Sequence, residues 1–311
     1  MATNILGTLS PDVLALDVIQ FLKLKFPMLT AIATDFSNEP VRLNTRIISR
    51  VVTPPAVQTF QGFPPAGTGT GYQASAATTI DVPVSINNFR YVSLSFSDDQ
   101  LANTPRNLVQ EQVEAAAYAL GKDAFDRLMA LCIKANFPTF TVSTNANFTR
   151  DVLTAVRLQL QQAGSDTPRY GIMDSAAMEY LLQDPTIISR FYIQVSDDSI
   201  DMEEGHLRGI GGFEDIWEYP QLTTDAPLTT GFFGNKHALV MAARVPSDPA
   251  AFVNDIPINA IIKNVSDPDT GLTIQYRYHY DVMLGQLSMV LTWIFGVAVG
   301  VAGHGALVTL S

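Results

Sequence analysis

Val282-Met283-Leu284-Gly285-Gln286-Leu287-Ser288-Met289-Val290-Leu291-Thr292-Trp293-Ile294-Phe295-Gly296-Val297-Ala298-Val299-Gly300-Val301-Ala302-Gly303 runs for 22 residues without a charge, and its reading decides the fold. As a helix, at about 1.5 Å per residue, it is long enough to cross a bilayer. Gly296 and Gly300 even stand at the spacing of paired membrane helices. The internal period argues otherwise. Gln286, Ser288 and Thr292 fall on one face, and Leu287, Met289, Leu291 and Trp293 on the other. Val297, Val299 and Val301 then alternate with Ala298, Gly300 and Ala302, while upstream Ile274 to Asp281 alternates without a break. A period of two over three segments, broken at glycine, predicts buried strands and no membrane span.

Upstream of these strands, Pro246, Pro249, Pro257 and Pro268 mark a loop-rich return. Before it the pattern is α/β. An amphipathic helix covers 148–163, closed by Gly164, and a short strand covers 169–173. A helix opens at Asp174-Ser175-Ala176 and runs to Leu182. A turn-rich link over 205–213 leads into a strand over 215–219, and 232–242 reads as a hairpin-like or strand–helix unit.

Thr104 and Pro105 start the clearest helix, which the pattern carries to about Asn136. Val109, Val113, Ala116, Leu120, Ala124, Leu128 and Leu131 form its apolar stripe. Some 30 residues predict a rod of roughly 45 Å. Glu111, Glu114, Lys122, Asp123 and Arg127 are expected on its outer surface. Earlier still, 41–50 and 79–96 read as strands around the glycine-rich segment 62–71, which gives a two-stranded ribbon with a turn-rich tip. Gly67, Gly69 and Gly71 mimic a phosphate cradle, but no strand leads into them and no helix follows, so they read as loop. A ribbon alone buries too little surface to be stable and must lie on another surface. Ser10-Pro11-Asp12 caps a short N-terminal helix that ends before Pro27.

Composition narrows the function. Lys plus Arg is 19 against 30 Asp plus Glu, a net charge of -11, which excludes a broad basic face for nucleic acid. One cysteine, Cys132, excludes an internal disulfide framework and a cysteine-built zinc site. The four histidines, His206, His237, His279 and His304, lie far apart in the chain. The N-terminus lacks a secretory pattern, so synthesis in a reducing, intracellular compartment is expected. Asp197, Asp198, Asp201, Glu203, Glu204 and His206 form an acidic cluster whose spacing does not match a calcium loop of the EF-hand type. Neither Asp123/Asp126 nor Asp267/Asp269 has a nucleophile or histidine near it in sequence, and no G-x-S-x-G signature is present. No catalytic, cofactor or metal residue is therefore assigned.

The order of elements resembles the major capsid (coat) proteins of tailed bacteriophages with the Hong Kong 97 fold, closest to those that assemble with a separate scaffolding protein. The stretches that carry it are Asp35-Phe36-Ser37-Asn38-Glu39, Arg169-Tyr170-Gly171-Ile172-Met173-Asp174, Gly209-Ile210-Gly211-Gly212-Phe213 and Phe295-Gly296-Val297-Ala298-Val299. The resemblance implies an α+β chain in five parts. An N-terminal arm spans 1–40 and an extended loop 41–98. A peripheral domain spans 99–146, with its spine helix over 104–136, and an α/β axial domain spans 147–265. The strands of 266–311 would complete the peripheral sheet and return to the axial domain. It implies pentamers and hexamers of an icosahedral shell around packaged double-stranded DNA, held without sequence-specific contacts. It further implies a scaffolding protein and a portal complex as partners, assembly in the host cytoplasm, and residence in the virion. A cargo-enclosing nanocompartment of the same fold and a C-terminally anchored membrane protein are the alternatives. No lysine lies between Lys25 and Lys122, so the isopeptide cross-link of some relatives cannot start from this loop.

A shell subunit needs mutual burial rather than an active site. Arg42, Arg46 and Arg50 share one face of the expected strand at roughly 13 Å intervals, from about 3.3 Å per residue. They are the candidate contacts to an adjoining subunit, with Glu111 and Glu114 as candidate acceptors for their guanidinium forks. The plain alternative is a solvated strand face.

Overall fold

The computed structural model describes residues 26–41, 44–52, 57, 79–103, 106–185, 187, 206–220, 222, 229–246, 260–266 and 273–310. The N-terminal helix, the glycine-rich segment, Thr104 and Pro105, the acidic cluster before His206, and Asp267 to Asp269 lie outside them. The described chain is α+β, with two six-stranded sheets and one two-stranded ribbon.

In the first sheet, β1 (Ala33–Val41) pairs in parallel with β10 (Leu239–Pro246), and β10 pairs antiparallel with β13 (Gln286–Val299). β12 (Thr273–Asp281) joins β13 to the edge strand β11 (Ala260–Ser266). β4 (Asn88–Ser97) pairs along β13 as well, from Asn88 opposite Phe295 to Ser97 opposite Gln286. The deciding stretch is thus strand, as its period of two requires, and no helix among the described residues is long and apolar enough to cross a membrane. One detail differs from expectation: β13 runs through Gly296 without a break. A Cβ there would collide with the Ser85 carbonyl oxygen, so this glycine serves close approach and not chain reversal.

The second sheet is ordered β5-β14-β9-β6-β8-β7, from β5 (Thr139–Val142), β6 (Arg169–Met173), β7 (His206–Ile210), β8 (Phe213–Glu218), β9 (Thr229–Asn235) and β14 (Gly305–Leu310). β9 and β10 do not form a hairpin: one lies in each sheet, and residues 236–238 carry the chain across. The supposed link 205–213 holds strand β7, turned into β8 by Gly211 and Gly212 at φ 63° and 90°.

Four α-helices among the described residues cover these sheets. α1 (Asp98–Asn103) follows β4 directly. α2 (Arg106–Met129) has 24 residues, a rod of about 36 Å and shorter than expected. After Met129 the hydrogen bonds tighten, Leu131 N to Leu128 O and Cys132 N to Met129 O, and the Asn136 amide donates to Leu131 O at 2.8 Å. That local capping stops a helix that apolar spacing alone would continue. Val113, Ala116, Leu120, Ala124 and Leu128 of its stripe are buried with Met289, Leu291, Trp293 and Phe295 in the main core. Phe26, just beyond the N-terminal segment, stacks on Tyr118 of α2 at 5.5 Å. α3 (Arg150–Gln162) and α4 (Ser175–Leu182) bury Val152, Leu153, Val156, Leu160, Ala177 and Leu181 in a second core with Phe213 and Phe233.

Candidate assembly interface

The expected strand over 41–50 is two strands. Asn44, at φ 69°, turns the chain between β1 and β2 (Arg46–Val52), so the row of three arginines does not lie on one strand. Arg42 is outside the described residues. Arg46 and Arg50 remain together on β2, which pairs antiparallel with β3 (Thr79–Ser85), Arg46 opposite Ser85 and Arg50 opposite Asp81. Period two gives this ribbon two unlike faces. Val82 and Val84 are buried against Val240 and Ala242, with Ile47 and Ala298 packed beside them. The other face presents Arg46, Ile48 and Arg50 beside Asp81, Pro83 and Ser85, all exposed. Arg50 Nε lies 3.5 Å from Asp81 Oδ1, with side chains 70% and 51% exposed, so water screens the pair.

The ribbon base therefore lies on its own sheet, which supplies the surface that a ribbon requires. β4 is not its continuation, because after Ile86 and Asn87 the chain enters the first sheet beside β13.

On α2, Glu111 is exposed and Glu114 is half-buried with a partner of its own. Asp123 and Arg127 are partly exposed, as expected of the outer surface, but are also engaged. Asp123 Oδ2 is 3.1 Å from Arg90 Nε and 3.2 Å from Arg127 Nε, and Arg127 donates to Asn88 Oδ1 at 3.0 Å, tying the helix to β4. Asp126 accepts the Tyr219 hydroxyl proton, and burial together with that carboxylate pushes the Tyr219 phenol up.

Two features of the exposed surface escaped sequence reasoning. Ile48, 50% exposed, sits between the two ribbon arginines. The turn between β12 and β13 carries Val282, Met283 and Leu284 at 80%, 93% and 67% exposure. It is nonetheless tightly built: Asp281 Oδ1 accepts from Met283 N at 2.9 Å and Leu284 N at 3.3 Å, and Gly285 stands at φ 57°. Asp281 and Gly285 bracketing three apolar residues were the available signal, masked by the uncharged run that follows.

Among the described residues no group of three or more His, Cys, Asp and Glu is placed to hold a metal ion. Burial pushes the Cys132 thiol far up, which keeps it protonated and a poor nucleophile. His206 stacks on Trp217 at 5.6 Å and meets Asp215 Oδ1 at 2.9 Å, where Arg208 also binds, a local clamp of β7 on β8. An open depression of about 450 Å³ beside Arg169 and Glu214 has its buried cation engaged by Gln161 Oε1 and the Ser165 carbonyl.

No protein-family model and no curated protein matches the chain. Solved structures do. The capsid of Ralstonia phage GP4 aligns with a TM-score of 0.58 at 11% identity, over 90% of this chain and 87% of that one. The capsid structure of cyanophage P-SCSP1u aligns with a TM-score of 0.56 at 11% identity, over 90% and 86%. The mature capsid of bacteriophage PhiM1 gives 0.51 at 12% identity, over 89% and 85%. At such identities the likeness establishes the fold. The α+β fold expected from the sequence is the one observed, and these phage capsid chains share it.

Proposed function

We propose that this chain is the major subunit of a tailed-phage capsid, a non-catalytic protein whose copies assemble as pentamers and hexamers into an icosahedral shell around double-stranded DNA. One observation carries the reading: nine-tenths of the chain aligns with phage capsid chains. On it, residues 1–40 are an arm and the β2–β3 ribbon is the core of the extended loop expected over 41–98, which ends where β4 enters the first sheet. The segment 99–146 with α2 belongs to the peripheral domain. Of the expected axial segment 147–265, the part up to β9 with α3 and α4 is the axial domain, while β10 and β11 join the first sheet with the strands of 266–299, and β14 returns to the axial sheet. A separate scaffolding protein and a portal complex are its assembly partners, and host cytoplasm is the site of assembly. The net charge of -11 suits a lining over which DNA slides, because strong counterion-release binding would hold the DNA in place.

The ribbon guanidiniums of Arg46 and Arg50, and Arg42 with them, engage carboxylates of an adjoining copy, and Glu111 and Glu114 of α2 are two on offer. Electron microscopy of particles made by the expressed chain with its phage's assembly proteins tests the reading. Closed shells tens of nanometres across that contain DNA are expected. Shells holding protein cargo would indicate a nanocompartment, and a uniformly monomeric chain would refute both. Arg46→Glu should abolish particles while leaving the circular dichroism melt of the chain unchanged, and normal particles from it would remove the ribbon face from the interface.

A further inference from the structure

The tip of the β12–β13 hairpin and the outer face of the ribbon are complementary surfaces, and we propose that the tip of one copy seats on the ribbon of a second copy. This contact rests on the shell reading above and names its partner surface. The tip offers an apolar crown, Val282, Met283 and Leu284, on a negative base. Asp281 holds the turn, and Asp98 is bonded to the Tyr280 hydroxyl at 2.6 Å, with its N–H donating to Gly285 O at 3.0 Å. Asp99 lies beside it, exposed. The ribbon offers an apolar strip, Ile48 beside Pro83, between the guanidiniums of Arg46 and Arg50. Arg46 opposes Ser85 and Arg50 faces the exposed carboxylate of Asp81 at 3.5 Å, leaving the face one positive charge in excess. Glu111 and Glu114 meet only the charge of that face, whereas the hairpin meets its charge and its apolar strip together.

Within one chain the two surfaces cannot meet. The ribbon base crosses β13 at Gly296, and the hairpin tip precedes Gln286, ten residues back, roughly 33 Å along the strand at about 3.3 Å per residue. From Gly296 the ribbon leads further away, since Val82 packs with Val240, whose partner on β13 is Ala298. A rigid apolar protrusion and its receiver at opposite ends of a molecule make a heterologous contact. Each copy gives one surface and receives the other, and such contacts propagate into rings. Three exposed side chains are too small an area to hold a lone dimer, so the contact acts in number, as a shell requires.

Cross-linking within assembled particles is the test. Cys132 is the only native cysteine and is buried, so engineered thiols report alone. Particles of the Ile48→Cys/Met283→Cys chain, oxidised and run without reductant, should give a ladder of linked chains, while either single variant stays monomeric. Particles without a ladder overturn the contact and leave the shell reading intact. So does a ladder from Ile48→Cys/Glu111→Cys alone, which would place the ribbon on the helix, or a dimer from Met283→Cys alone, which would place tip against tip. Absence of particles from the unmodified chain refutes the shell reading, and this contact with it. Independently, Met283→Asp should lower particle yield at least tenfold with an unchanged melting curve of the chain. Normal yield would overturn the proposal.

Discussion

Gly296 shows how one missing side chain positions an element. Neither it nor Gly300 has a positive φ, so both are required for space rather than for backbone freedom. At Gly296 a Cβ would run into the Ser85 carbonyl, and at Gly300 into the carbonyl of His237. Backbone cannot swing aside as a flexible side chain can, so Gly296→Ala should destabilise the chain by about 1–3 kcal/mol. The denaturant midpoint would report it. Gly303 is the control: a Cβ there meets only the Ala163 methyl at 3.8 Å. Gly303→Ala should lie within about 0.5 kcal/mol of the parent. Equal effects at the two positions would mean that close approach does not explain Gly296.

The ribbon shows how a marginal element becomes ordered at its base. Two strands in water are unstable alone, but Val84 and Ile86 are fully buried and Val82 nearly so against the first sheet. Burying a carboxylate among Val240, Ala242 and Ala298 has no compensation in that setting. Val84→Asp should therefore detach the ribbon: hydrogen exchange of the 46–52 amides should accelerate by tenfold or more while α2 keeps its protection. Unchanged exchange would show that the inner face does not hold the ribbon. Helix α2 makes the complementary point. Its buried stripe was legible from spacing, but the ties of Asp123 and Arg127 to Arg90 and Asn88 were not, because they join residues more than thirty apart in sequence.

Across the whole molecule, the chain passes between the two sheets at 130–138, 236–238 and 300–304, and the last two crossings bring His237 and His304 together. Their rings are 6.4 Å apart, and His304 Nδ1 lies 3.3 Å from Asn235 Nδ2. Burial first, and then the His237 charge, hold the His304 pKa below its ordinary 6.5, with Asp166 opposing. The unfolded chain thus takes up this proton more readily than the folded one. The stability His304 contributes is complete above about pH 6.5 and is lost as pH falls through that value toward the depressed folded pKa. The melting temperature should drop between pH 7 and 5, and His304→Gln should flatten that drop. Parallel profiles for the two chains would place the acid sensitivity elsewhere. Tyr219, beyond β8, adds a strap between the halves through Asp126 of α2.

The sequence by itself determined the kinds of element and much of their extent. Strand β6 and helix α4 lie where the pattern put them, and the uncharged run near the C-terminus is sheet, because periodicity and capping are properties of neighbouring residues. The order of those elements was enough to indicate a phage shell fold. Of the arginine row read as Arg42, Arg46 and Arg50 on one strand face, only Arg46 and Arg50 share a described strand, and neither Ile48 between them nor the crown at Val282 to Leu284 was read. Only the tertiary structure decided that β4 leaves the ribbon for β13, that β9 and β10 part into different sheets, that Gly296 is crossed rather than broken, and that the ribbon base and the hairpin tip stand at different ends of β13. Pairing partners and backbone approach are set by contacts between segments distant in the chain, and a local pattern carries no record of which segments will meet.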